Sequence, residues 1–393
     1  NMIEAFDINT DICHNDTTCA FMYGDADKRR SDRGITITFG YSKQYRKDLK
    51  QLVWSLSVSS DSAFPLFQQA YSGNTADVDT YVEQWHHLID LLGKRDFLFV
   101  GDSKVASRQN MAHIHDHEGF FISPLPMYAT YEKALADALD QHDREVLIPY
   151  KDHINRGFEV PLTVNHEDKA YPFRMIVLFD HGLFHRKRKS LDQRIEKTRG
   201  AFDELSSRLN TYRLKEEAAI DKACQAILKK YKTGDVFEYT LYNEPLVTYK
   251  NKKRGRPSAT LPLEKVPVET DRFRVDLRFN QSAYDQAIRR AGYYPLVTNQ
   301  PASKLSIKDA MMAHKNQYKV EHAYRRSKSG YQLEPIYLHT PERIETYLFL
   351  FKIALQVIVL IERAARKNIQ ARDSGLEDFM PNRKDYRTPK AEY

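Results

Sequence analysis

Apolar residues recur along this chain with two different periods, and the switches between them mark out its elements. Between positions 11 and 72 the period is two. ITITFGYS (35–42) and LVWSLSVSS (52–60) alternate apolar with small or polar residues, the second running into a turn at Asp61 and Ser62. With the segment around Asp16, they predict three successive strands. Over 74–94 the period becomes helical. Val78, Tyr81, Val82, Trp85, Leu88, Ile89 and Leu92 share one face, and Gly93 is placed to cap the helix. DFLFVGDS (96–103) is a short continuous apolar run, the mark of a strand buried on both faces, with Asp102 at its end. A short helix over 107–115 and a second buried strand over 119–126 complete a parallel α/β unit.

Beyond 127 the pattern changes. YPFRMIVLFD, VFEYTLYN and FRVDLRF read as strands, and 190–231 as one long charged amphipathic helix or a helix pair. This stretch is expected to be an insertion with a sheet of its own. A strand over 292–299, helix over 306–327, a last helix over 341–367 and a loose, charged tail follow. The most apolar segment, 347–361, is interrupted by Lys352 and Gln356 and falls short of the roughly 20 apolar residues of a membrane span, so it reads as a buried core helix with no membrane partner.

At 393 residues the chain is long enough for two compact units, or for one core carrying a large insertion. Hydrophobic residues at 41% and charged residues at 29% give a globular composition rather than a disordered one. Lys and Arg number 60 against 53 for Asp and Glu; the net +7 makes a polyanionic partner plausible. Cys13, Cys19 and Cys224 are odd in number and form no CxxC pair, which supports neither a disulfide framework nor a cysteine zinc site and fits a reducing cytoplasm. The start lacks the basic, apolar and small-residue pattern of a signal peptide; Met2 is not first, and the chain reads as a fragment with residues upstream.

No Walker loop, GxGxxG loop or HExxH helix is present. His113, His115 and His117 alternate on a predicted helix, where neighbours two apart diverge, so they read as surface histidines. His181 and His185 are spaced i, i+4 without an acid between them, which does not make a catalytic zinc pair. The acids say more. Asp16 lies in a strand-like segment near the start of the expected sheet, and Asp102 at the end of a buried strand, where ligands of open α/β sheets gather. Each alone also fits a turn or a cap. Glu321, Arg325 and Lys328 occupy i, i+4 and i+7 of a helix. That is either an exposed salt bridge or a metal-binding carboxylate backed by cations for a phosphate.

Several blocks, in order, resemble the DDE transposases of insertion sequences, in the group carrying a β-rich insertion before the final carboxylate. They are the DTT turn at Asp16, the stretch 40–77, FLFVGDSKVAS (97–107), FFISPLP, AGYYPLVTN and YKVEHAYRRSK (318–328). The resemblance implies an RNase H-like α/β core, a mixed sheet flanked by helices, formed by 1–126 and 303–370. An inserted β-rich plus long-helix domain over 127–302 would interrupt it, and 371–393 would be a charged tail. It makes Asp16, Asp102 and Glu321 the three catalytic, metal-binding acids. The group's Y-x2-R-x3-E-x6-K signature is met by Glu321 and Lys328, whereas His314 and Gln317 stand where Tyr and Arg are expected.

Such an enzyme uses two Mg²⁺, or Mn²⁺, held by carboxylates roughly 3.5 to 4 Å apart, for in-line displacement at phosphorus. The implied steps are nicking at the element's ends, hairpin formation and resolution, and strand transfer to target. The partner is double-stranded DNA, the place the cytoplasmic nucleoid, and the pairing of two ends implies a homodimer in the DNA complex. Lys328, Arg325 and Tyr318 are the expected DNA contacts near the acids. Lys252, Lys253, Arg254, Gly255 and Arg256 resemble an AT-hook, whose Arg-Gly-Arg enters a narrow minor groove, and equally fit a solvated basic loop. Arg186, Lys187, Arg188 and Lys189 form a second basic run. Two rivals stand beside this reading: a decayed or recruited transposase that binds DNA without cutting, and a helical scaffold without a nucleic-acid role.

Overall fold

A computed structural model describes residues 2–23, 34–42, 45–142, 144–150, 153–251, 265–330, 333–372, 375 and 387. After a short helix α1 (Met2–Ala5) come three antiparallel strands, β1 (Ile12–Met22), β2 (Lys50–Ser59) and β3 (Pro65–Ser72). Helix α2 (Asp77–Leu92) ends where Gly93 takes φ 64° and returns its N–H to Ile89 O, the left-handed cap a glycine adopts without strain. Strand β4 (Leu98–Val100), helix α3 (Arg108–Asp116) and strand β5 (Phe120–Pro124) follow, with β1, β4 and β5 parallel as the α/β pattern predicts.

The stretch 35–42 is not one of the strands. Among the described residues its one ladder contact with the sheet is an isolated bridge, Thr38 to Gln51, beside side-chain bonds such as Thr36 N to Ser72 Oγ (3.0 Å), while Ile35 and Ile37 are buried in the core. Gly40 explains the crossing: a Cβ there would sit 1.9 Å from Gly73 O, so the backbones pass too closely for a regular ladder with side chains.

Helix α4 (Ala129–Gln141) and strands β6 (Val146–Tyr150), β7 (His153–His166) and β8 (Lys169–Phe179) come next. After the intervening unit, strand β13 (Tyr293–Thr298) re-enters, giving a nine-stranded mixed sheet in the order β3-β2-β1-β4-β5-β13-β8-β7-β6. Helices α8 (Ile307–Lys315), α9 (Tyr318–Arg325) with a π-turn over Arg326–Gly330, and α10 (Pro341–Arg372) close the unit. The helix expected over 306–327 is thus two helices, and the last helix runs five residues past its expected end at 367.

The two sheet faces are covered by different helices. Ala20, Met22, Leu52, Trp54, Leu56 and Val58 pack with Val320, Ala323, Ile344, Leu348 and Leu355 of α9 and α10. Further along, Leu98, Val100, Ile122, Ile176 and Leu296 pack with Ala310 and Met311 of α8. Phe99 points the other way, its ring edge-on to Tyr81 of α2. A buried ion pair, Arg326 to Glu362 (2.5 Å), ties the π-turn to α10. Only one face of α10 is buried, which corrects the expectation of a buried core helix over 347–361.

The second compact unit spans Phe179–Tyr293. It holds helices α5 (His181–Arg208), α6 (Glu217–Tyr231) and α7 (Gln281–Arg290), and strands β9 (Phe237–Asn243), β10 (Leu246–Asn251), β11 (Lys265–Thr270) and β12 (Phe273–Phe279). The strands form two antiparallel pairs, β9 with β12 and β10 with β11. Phe202, Leu205, Ile220, Cys224 and Phe273 make its core. Its start lies well after the expected boundary at 127, because β6, β7 and β8 extend the large sheet rather than a separate one. The helix pair foreseen over 190–231 is α5 and α6, with α5 starting nine residues earlier at His181.

Candidate active site

Strand β1 carries the first of the expected acids. Its residues alternate between faces: Asn15 and Thr17 turn toward α2, where Thr17 Oγ1 donates to Asp77 Oδ1 (2.7 Å), while His14, Ala20 and Met22 turn toward α9 and α10. Asp16 belongs to the second set. In the parallel register His14 stands opposite Val100, so two residues further along each chain come Asp16 and Asp102, at the carboxyl end of β4. A Cβ on the intervening Gly101 would lie 2.5 Å from Val105 and 3.1 Å from Tyr81, so only a glycine lets the chain turn there and present Asp102.

Asp102 is held on several sides. Its Oδ1 accepts from the Tyr81 hydroxyl (2.8 Å) and from Lys104 N (2.8 Å), and its carbonyl accepts from Ser123 Oγ. Tyr81 is fully buried. Burial, then the negative charges of Asp102 and Asp16, push its phenol well above the ordinary tyrosine range and keep it a neutral donor. Both aspartates therefore act on one phenol.

Helix α9 lies across β1. Gln317 Nε2, at its start, donates to Asn15 O (2.8 Å), and Gln317 Oε1 meets His14 Nδ1 (3.1 Å). Tyr324 OH lies 2.6 Å from Asp16 O and 3.0 Å from Trp54 O, with its ring edge-on to Trp54. Glu321 falls between Gln317 and Tyr324 on this stripe, at i+4 and i+7 from Gln317, and is exposed. Thus β1 and β4 align Asp16 and Asp102, and α9 holds Glu321 on a stripe that reaches β1. The three are not gathered: among the described residues no group of three or more His, Cys, Asp or Glu stands close enough to hold a metal ion. The donor chemistry of the three carboxylates nevertheless fits a hard divalent cation, which takes oxygen ligands.

The expected DNA contacts are distributed. Arg325 and Tyr318 are exposed and line a groove with Lys319 and His322. Lys328 is already engaged: its Nζ donates to Cys19 O and pairs with Glu334 (3.1 Å). Arg186, Lys187, Arg188 and Lys189 are exposed on the first turns of α5 in the second unit. Lys252, Lys253, Arg254, Gly255 and Arg256 lie outside the described residues.

The sequence reading missed Tyr81, Tyr324, Asp77 and the clamping role of Gln317. Tyr81 belongs to the apolar face of α2, and helical spacing carries no signal of what a hydroxyl at the edge of that face touches. His113 and His115 lie on helix α3 and His117 caps its end; His113 and His117, at i, i+4, meet His86 of α2, with 2.9 Å between the Nε2 atoms of His86 and His113.

No curated protein matches the chain. The transposase DDE domain family matches residues 38–357, a span that holds Asp102 and Glu321 and begins after Asp16. The mixed sheet with helices on both faces is the RNase H-like arrangement of that family. A match over most of the chain, on a sheet that sets an aspartate at the end of β4, makes this chain a member of the DDE transposase family.

Proposed function

We propose that this chain cuts DNA at the ends of an insertion sequence and joins them to a target, using a divalent metal held by Asp16, Asp102 and Glu321. The observation that supports this reading is that Asp16 and Asp102 each lie two residues past the paired His14 and Val100, with the buried Tyr81 donating to Asp102 and feeling the charge of both. A transposase of the DDE type acts on DNA, and the net charge of +7 with exposed cations on α5 and α9 suits that partner.

The two ions bound there, magnesium or manganese, would activate the attacking oxygen and stabilise the leaving one. The protein's own groups do the rest. Tyr81 and Lys104 N fix one rotamer of Asp102, so the carboxylate is preorganised before metal or DNA arrives. Gln317 and Tyr324 hold α9 against β1, which sets how closely Glu321 approaches the aspartates. Arg325 and Tyr318 contact the DNA backbone beside it, with Lys328 joining when it leaves Glu334. Arg186, Lys187, Arg188 and Lys189 of the second unit supply further phosphate contacts, and the basic segment with Arg254 and Arg256 inserts into an A·T minor groove. Nicking, hairpin formation and resolution, and strand transfer follow in turn at the nucleoid, with a homodimer pairing the two ends.

A second reading has its own support. His314 and Gln317 replace the Tyr and Arg of the family signature, and Lys328 is paired within the chain, as in a protein that binds DNA without cutting it. Mn²⁺ binding separates the two. Calorimetric titration of the intact chain should show saturable binding that Asp102→Asn and Asp16→Asn each weaken by about tenfold or more; no binding, or binding indifferent to both changes, favours the non-cutting reading.

A further inference from the structure

Three histidines of α2 and α3 take no part in the chemistry of the acids, yet they converge. His86 Nε2 and His113 Nε2 stand 2.9 Å apart across the two helices. His117, one turn beyond His113, stacks on it with 4.2 Å between ring centres and lies edge-on to His86 at 5.8 Å. Burial first, and then His117 beside them, push His86 and His113 below the ordinary histidine range, so both rings are neutral at pH 7. A neutral imidazole carries one proton, so at this distance one Nε2 donates to the lone pair of the other. His117 Nδ1 lies 2.8 Å from His113 O, which can only accept. That bond keeps a proton on Nδ1 and leaves the lone pair of the neutral ring on Nε2, the arrangement of a histidine that ligates through Nε2.

The groove beside them is acidic in a chain whose net charge is +7. Asp79, Glu83 and Asp90 line it with His86, His87 and His113; no lysine or arginine is among the lining residues, and Arg95 acts on His86 from beyond them. Such a lining repels DNA phosphates and draws a cation. At about 560 Å³ the groove has room for an ion and several waters, each taking about 30 Å³.

We infer that His86 and His113 hold a divalent transition metal, zinc, nickel or copper, between their Nε2 atoms, with His117 as a third ligand and water completing the shell. Imidazole nitrogen suits these ions, whereas magnesium takes oxygen, so this site selects a different metal from the acids of the core. Two nitrogens bound at about 2.0 to 2.1 Å on a tetrahedral ion stand roughly 3.3 Å apart, so His86 and His113 need part by only about 0.4 Å. The ring that donates keeps its single proton by moving it to Nδ1, and none is lost. As the rings stand, these two nitrogens are gathered and His117 is not; its exposed ring joins by turning. An ion held this way clamps α3 to α2, the helix whose Tyr81 supports Asp102. The site stands whether or not the acids of the core cut DNA.

Calorimetric titration of the untagged full chain with Ni²⁺, in excess Mg²⁺ to occupy the carboxylates, tests it. Saturable binding of one ion per chain is expected. His86→Ala and His113→Ala should each weaken it by about tenfold or more, while His115→Ala, which removes a ring packed against Phe173, and His185→Ala on α5 should leave it unchanged. The thermal midpoint should rise with Ni²⁺ in the intact chain and in His115→Ala, but not in His86→Ala. Should His86→Ala or His113→Ala misfold, electron paramagnetic resonance of one equivalent of Cu²⁺ on the intact chain and on His185→Ala carries the test: both should show coupling to at least two imidazole nitrogens. No saturable binding in Mg²⁺ overturns the proposal. So does binding indifferent to His86→Ala and His113→Ala, or a Cu²⁺ spectrum with oxygen ligands alone.

Discussion

Tyr81 donates a 2.8 Å hydrogen bond to Asp102 from a buried position where it also feels the charge of Asp16. The phenol thus links α2 to Asp102, just past the end of β4, within the field of Asp16 on β1. Tyr81→Phe keeps the ring in the core and removes only the donor. Activity or metal affinity should fall about 10- to 100-fold, the usual cost of losing a partner that orients a metal ligand. The thermal midpoint should move little. Full activity at low metal concentration in this variant would show that Asp102 needs no such support.

Gln317 is the link between α9 and β1. Its removal leaves Asn15 O and His14 Nδ1 without their partner in a region closed to water. Gln317→Ala should destabilise the protein by about 1 to 3 kcal/mol in urea titration. It should also raise hydrogen exchange in α9 more than in β5, since the contact it breaks is local.

Lys328 is held by Glu334 and by Cys19 O, so DNA would have to compete for it. Glu334→Gln removes the competing charge. DNA binding measured across a salt series should tighten, and the slope of log K against log salt should steepen by about one phosphate contact. An unchanged slope would place Lys328 outside the DNA interface.

His314 stands where the family signature has Tyr. Burial pushes its pKa down to about 4, with Lys315 adding to the shift, so the folded protein holds it neutral. An unfolded chain protonates it near pH 6.5. The stability it contributes is therefore complete above about pH 6.5 and is lost as pH falls from there toward about 4. His314→Phe keeps the ring contact with Tyr294 and cannot titrate. Between pH 7 and pH 4 the native protein should lose about 3 kcal/mol more than this variant; parallel losses would show the site is open to water.

Most of what positions the site was legible in the sequence, because buried strands and amphipathic helices leave periodic traces. β4 and β5 show as unbroken apolar runs, α2 as a one-sided stripe ended by Gly93, and Asp102 as the polar residue closing a buried strand. Strands β6 and β7 were not legible: they lie at the edge of the sheet, alternate poorly and carry Pro149, Gly157 and Pro161. Nor was the fate of 35–42, which alternates like a strand but is kept from one by the close passage of Gly40 and Gly73. For the site, the resemblance could name Asp16, Asp102 and Glu321, but that the first two each lie two residues past a paired position follows only from the β1–β4 register. Polar contacts such as Tyr81 to Asp102 join residues 21 apart on different elements and have no period at all.

The proposed function is the cutting of DNA through Asp16, Asp102 and Glu321. Its most direct test is nicking of labelled DNA carrying the element's own ends, with Mg²⁺, by the intact chain and by Asp16→Ala, Asp102→Ala and Glu321→Ala, each shown to fold. Metal-dependent nicking by the intact chain is expected, with a loss of about a thousandfold or more in every variant, because the carboxylates would act together on one phosphate. Nicking that persists without metal, or that survives Asp102→Ala and Glu321→Ala, would contradict it.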